Sequence, residues 1–160
     1  MMRTLLAVDP GPEQTAWVLF KDGKPDQWFT KPNDEAIEVF RDFAGYPIVI
    51  EMIASYGMAV GREVFETCVW IGRFIEATGG DAKRITRGEV KDAICHSRKA
   101  TDANIRTELI DRFGPGKEKA IGKKKTPGPL FGMKGDEWAA LAVGVAWLDR
   151  LAAEAGKGGE

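Results

Sequence analysis

A mixed α/β domain, with one sheet held between helices, is the fold class the sequence predicts. Three observations carry it. Short apolar runs of strand length (3–8, 14–20 and 48–52) are each closed by a polar residue or a turn. Beyond residue 33, strand-like and helix-like segments alternate. The 160 residues are 44% hydrophobic and 29% charged, a balance that supports one sizeable core. A single domain over 1–154 is expected, with a flexible Gly-rich tail at 155–160.

The elements follow in order. Runs 3–8 and 14–20 read as strands, and Lys21-Asp22-Gly23 is a hairpin signal. Gln27 to Thr30, with Trp28 and Phe29, completes an antiparallel meander of three strands. Asn33 or Asp34 is placed to cap a helix carrying Ile37, Phe40 and Phe43. After Pro47, "IVIEM" suits a buried parallel strand, yet it contains Glu51. Met58 to Thr78 reads as a long helix stopped by Gly79-Gly80, with a narrow polar stripe of Arg62, Glu66 and Arg73. One apolar stripe is Val60, Val64, Cys68, Ile71 and Ile75; another side carries Phe65, Val69, Trp70 and Phe74. Such a helix is either central core or core on one side and a dimer interface on the other. The large aromatics favour the dimer.

"KRIT" (83–86) is the fifth strand and "RGEVKDAIC" (87–95) a short helix. Thr101 or Asp102 caps a further helix with Ile105, Leu109, Ile110 and Phe113. The stretch "GPGKEKAIGKKKTPGPLFGMKG" (114–135) has little periodicity and reads as a long loop, functional or disordered. Asp136 opens a last helix that runs to about Glu154. The expectation is a mixed five-stranded sheet, a three-stranded antiparallel meander plus parallel strands, flanked by helices.

The formal net charge of -1 by itself argues against a nucleic-acid partner. Its distribution reads differently. Residues 82–135 hold 14 Lys and Arg against 6 Asp and Glu, whereas residues 1–81 hold 7 against 13. A chain polarised in this way can offer a basic face to phosphates, or simply a solvated basic surface. No apolar run approaches the ~20 residues of a membrane span, and Asp9 and Glu13 interrupt residues 1–20, so neither a membrane segment nor a secretory signal is expected. Cys68 and Cys95 make no disulfide framework and fit a reducing, cytoplasmic compartment. The single histidine, His96, gives no zinc spacing, and there is no P-loop, Rossmann fingerprint or nucleophile triad.

Three acids stand where composition alone would not put them. Asp9 ends the first strand, Glu51 lies in "IVIEM", and Asp136 opens a helix that is otherwise almost wholly apolar. Each has a structural reading. Asp9 before Pro10-Gly11 forms turns well, and Asp136 suits a helix N-terminus. Glu51 is harder, because it would face an apolar layer. If the strands are neighbours and the helix crosses their ends, the three converge. Such a cluster costs several kcal/mol unless cations neutralise it. Oxygen-only ligands suit Mg²⁺ or Mn²⁺, and paired divalent cations about 4 Å apart are a standard device for phosphodiester cleavage.

In order and spacing, "LLAVDPG", "IVIEMIASYGMAVG", "ITRGEVKDAI" and "GDEWAALAVGVAW" resemble the RuvC family of Holliday-junction resolvases, over roughly Thr4 to Leu148. The short phage-type members, with a long basic loop before the last helix, are the most similar kind. The resemblance implies an RNase H-like fold and catalytic carboxylates at Asp9, Glu51 and Asp136, holding two Mg²⁺ or Mn²⁺ ions. The family's fourth acid falls on Ala139. Glu137 is turned about 100° from that face and reaches a metal only if the helix start is irregular. Tyr56 matches the aromatic residue that wedges or stacks at the junction centre, or is a loop tyrosine packed on a helix cap. Lys91 matches a DNA-contacting basic residue. A second family lysine falls near Asp102 and is not carried over. Arg87, Arg98, Lys99, Lys123, Lys124 and Lys125 complete the expected DNA-binding set. The implied protein is a homodimer, paired through the 58–78 helix, acting on branched DNA. The alternatives are a non-catalytic junction-binding module, an RNase H-type nuclease on RNA/DNA hybrids, and a small ATP-binding domain of the actin/sugar-kinase type.

Overall fold

The structure is a computed structural model and describes residues 3–158. Strands β1 (Thr4–Asp9), β2 (Gln14–Lys21) and β3 (Lys24–Pro32) form the antiparallel meander. Helix α1 (Asn33–Arg41) leads to β4 (Ile48–Met52), then α2 (Arg62–Ala77) to β5 (Lys83–Thr86). Helices α3 (Arg87–Cys95), α4 (Asp102–Phe113) and the short α5 (Lys117–Ala120) follow. A small hairpin, β6 (Gly122–Lys123) and β7 (Thr126–Pro127), precedes α6 (Glu137–Lys157). The five-stranded sheet has the order β3-β2-β1-β4-β5, with β4 parallel to β1 and to β5.

Period-two alternation distributes the strand side chains between two cores. Leu6, Val8, Trp17, Ile48 and Ile50 pack on one face with Phe40 of α1 and Phe74 of α2. Leu5, Ala7, Val18, Phe20, Val49 and Ile85 pack on the other with α3, α4 and α6. Because β1 and β4 are covered on both faces, Leu5–Val8 and Ile48–Ile50 are unbroken apolar runs. Fully buried Phe20, Phe40 and Phe74 each contribute about 1.5–3 kcal/mol.

Four sequence expectations need correction. The third strand is longer than 27–30, because pairing with β2 extends it over nine residues. As a sheet edge it tolerates Pro25 and Pro32. The helix expected from Met58 begins at Arg62, since Gly57 has a left-handed φ of 76° and Gly61 is the cap. Its buried stripe is Thr67, Ile71, Phe74 and Thr78, which leaves Phe65 and Val69 exposed. Residues 114–135 are not structureless: α5 and the hairpin anchor there, and Ala120, Leu130 and Met133 enter the α6-side core. The last helix runs past Glu154 to Lys157, so the expected tail is helical over 155–157, and 159–160 lie outside the described residues.

Candidate active site

Alternation and register bring the first two acids together. On β1, Leu5 and Ala7 face α6, so Asp9 falls on that side. On β4 the same holds for Val49 and hence Glu51. The parallel register pairs Val8 with Ile50, which sets Asp9 and Glu51 side by side one residue further on. The chain then turns at Pro10-Gly11. Gly11 N–H donates to Thr15 Oγ1 (3.4 Å), Thr15 donates to Asn33 Oδ1 (2.6 Å), and Asn33 Nδ2 donates to Gly11 O (2.9 Å). Asn33 therefore braces the turn behind Asp9 and does not cap α1, whose N-cap residue is Pro32. A β-carbon at Gly11 would lie 2.5 Å from Gln14 O, so only glycine fits.

The third acid comes from α6. Asp136 is its N-cap residue, but the side chain makes no capping hydrogen bond. The neighbouring Glu137 does the local work instead. It is 4% exposed, accepts from Thr30 Oγ1 (3.1 Å) through Oε2 and from Lys134 N–H (3.0 Å) through Oε1. Ala139, at the position of the family's fourth acid, lines a cavity of ≈ 310 Å³ together with Arg87, Asp102, Arg106 and Asp136.

Electrostatics mark the trio. Burial first, then the charges of Glu51 and Asp136, push Asp9 up to about 8, against the opposing pull of Arg87. Burial likewise raises Glu51, with Arg87 again opposing and Asp102 and Asp136 adding to the rise. Glu51 Oε2 is buried without a hydrogen-bond partner. Arg87 Nη1 approaches that oxygen only to 3.5 Å. Three carboxylates in electrostatic reach, one with an orphaned oxygen, fit a hard divalent cation. Among the described residues, no three acidic, His or Cys side chains are drawn to common ligand distance. A cleft of ≈ 250 Å³, lined by Asp9, Gly11, Glu51, Glu63 and Thr67, opens on the α2 side of the pair.

The basic and aromatic candidates fall into two groups. Arg87 and Lys91 stand one turn apart on α3 and share a face, both half-buried. Tyr56, 65% exposed, and Arg98 meet over Gly88: a β-carbon there would lie 3.3 Å from Tyr56 Oη and 3.0 Å from Arg98 Nη1. Arg98 also pairs with Asp92 (3.4 Å), and Lys99 is exposed beside it. Lys123, Lys124 and Lys125 form the exposed tip of the β6–β7 hairpin. Sequence reasoning missed two neighbours. Asp102 binds Arg87 Nη2 at 2.8 Å, and Arg106 lies over the Trp138 ring, 4.2 Å from its centroid. The reversal of charge at Asp102, where the resemblance implies a lysine, was the available signal for the first.

The chain has a RuvC-like fold of the RNase H-like type. It superimposes on the Thermus thermophilus RuvC structure with a TM-score of 0.66 and 12% identity, covering 94% of this chain and 96% of that one. It also matches T. thermophilus RuvC in complex with Holliday junction substrate (TM-score 0.64, 12% identity, 95% and 96% coverage). No protein-family model and no curated protein matches the sequence.

Proposed function

We propose that this chain is a metal-dependent, structure-selective endodeoxyribonuclease that resolves four-way DNA junctions as a homodimer. The observation that carries the reading is the placement of Asp9 and Glu51 on adjacent strands of one sheet face, with the uncapped carboxylate of Asp136 in electrostatic reach of both. Asp9, Glu51 and Asp136 hold two Mg²⁺ or Mn²⁺ ions. Such a pair, when bound, supplies Lewis acidity and charge neutralisation for phosphodiester hydrolysis. The two strand ends fix Asp9 and Glu51, and Thr15 and Asn33 lock the turn that follows Asp9. Glu137 holds the start of α6 so that Asp136 stays free. Arg87, Lys91, Arg98 and Lys99 bind the backbone near the cut, Tyr56 stacks at the junction centre, and Lys123, Lys124 and Lys125 bind a more distant phosphate run. The T. thermophilus RuvC complex with a Holliday junction supports this choice of substrate. A dimer through the exposed Phe65 and Val69 of α2, extended by Met58 and Val60, would match a two-fold junction. Single-domain organisation and a cytoplasmic setting complete the reading; no described helix is long and apolar enough to cross a membrane.

One observation favours a second reading. Ala139 leaves the family's fourth acid unfilled, which suits a module that binds junctions without cutting them. Cleavage of a labelled junction with Mg²⁺ or Mn²⁺ separates the two. Asp9→Asn, Glu51→Gln and Asp136→Asn should each lower the rate at least about a thousandfold, several kcal/mol of charge stabilisation, while sparing junction binding in Ca²⁺. Glu137→Gln should keep most activity. Full activity in Asp9→Asn would end the nuclease reading, and junction binding with no cleavage by the unmodified chain would establish the module.

A further inference from the structure

Arg87 opens α3 and reaches two carboxylates in different surroundings. Its Nη1 lies 3.5 Å from Glu51 Oε2, whereas its Nη2 lies 2.8 Å from Asp102 Oδ1. The Glu51 side chain is only 14% exposed and that of Asp102 is 74% exposed. Attraction between charges is stronger where water is scarce, so an untethered guanidinium would close on Glu51. It does not. The short contact goes to the hydrated partner, and the buried Glu51 oxygen keeps no hydrogen bond. Ion pairs as exposed as Arg87–Asp102 add little to stability, so stability is a poor explanation for this one.

We infer that Asp102 is a positioning residue that holds Arg87 back from Glu51, leaving Glu51 Oε2 open to a divalent cation. The tether has two consequences. Arg87 stays near enough to favour the charged forms of Asp9 and Glu51. It stays too far to take the oxygen that the cation needs. Asp102 comes from α4, so the packing of α4 beside α3 is what sets the distance. The inference rests on the metal-site reading of the three acids.

Mn²⁺ titration calorimetry on the full chain tests it, with Asp102→Asn, Arg87→Ala and the double variant. Asp102→Asn should weaken Mn²⁺ binding about three- to fivefold, the worth of one such ion pair. Arg87→Ala should tighten it. In the Arg87→Ala background, adding Asp102→Asn should change affinity by no more than about twofold, the margin of additivity. Asp102→Glu should restore most of the loss. Melting curves check folding, and Arg87→Gln replaces Arg87→Ala if the latter does not fold. An equal effect of Asp102→Asn in both backgrounds would mean that Asp102 acts only through its charge on Glu51, and would overturn the tether. No effect in the unmodified background would overturn it too. Mn²⁺ binding that survives Glu51→Gln unchanged, or is absent from the unmodified chain, would instead remove the metal-site reading on which the tether depends.

Discussion

Asp9 is a carboxyl group that resists ionisation in the folded chain. Its pKa rises from 3.8 to about 8, chiefly through burial. The folded state therefore keeps a proton that the unfolded chain has already released. Stability from this group is full below the ordinary carboxylate range and is lost as pH climbs toward 8. In EDTA the melting temperature should fall by about 2–8 °C across that window, one to a few kcal/mol. Scanning calorimetry would show the slope. Mg²⁺ or Mn²⁺ should flatten it, and Asp9→Asn should reduce it to the part that the raised Glu51 supplies and raise the metal-free melting temperature. At this scale the sequence was partly legible. Asp136 and Glu137 are consecutive acids; helix periodicity and the resemblance point to Asp136 over Glu137, but not to what Glu137 does instead. Burial decides: Glu137 points to Thr30 of β3, over a hundred positions away in the chain, and Asp136 is left exposed.

The elements themselves were more legible than their ends. The apolar runs of β1, β2 and β4 announced the strands, because side chains buried on both faces leave a continuous signal. The 114–135 segment did not announce α5 or the hairpin. Its order comes from backbone bonds that fold the segment on itself, such as Leu130 N–H to Ala120 O (2.8 Å), from side chains such as Leu130 that enter the core, and from glycines that allow close backbone passage. A β-carbon at Gly128 would lie 2.3 Å from Lys119 O. Helix α6 docks by the same device. A β-carbon at Gly144 would lie 2.1 Å from the Phe20 ring and 3.0 Å from Ala7 Cβ. Gly144→Val should overpack this contact and cost about 1–3 kcal/mol. Urea unfolding should show a lower midpoint at unchanged m-value.

For the whole molecule, the open question of α2 is one of faces. Its inner stripe closes the core through Ile71 and Phe74. Its outer side shows Phe65 at 62% and Val69 at 58% exposure, next to Met58 at 77%. Under the dimer reading, Phe65→Asp should convert a sedimenting dimer to a monomer at micromolar concentration. Because the side chain is exposed in the single chain, the change should shift folding stability by no more than about 0.5 kcal/mol. A monomer in the unmodified chain would remove the dimer and the paired-cut geometry with it.

The sequence by itself determined the layered α/β fold, the positions of Asp9 and Glu51 on their strands, and the basic excess after residue 82. These are local properties: period, turn chemistry and composition survive in a string of letters. Only the tertiary structure decided that Asp9 and Glu51 are neighbours, that Asn33 braces a turn and caps nothing, and that Arg87 is shared between Glu51 and Asp102. Register, face and the burial of single atoms depend on what the rest of the chain packs against them. "AVDPG" carries an acid to the end of a strand; the parallel pairing with β4 and the approach of α6 supply that acid with its companions.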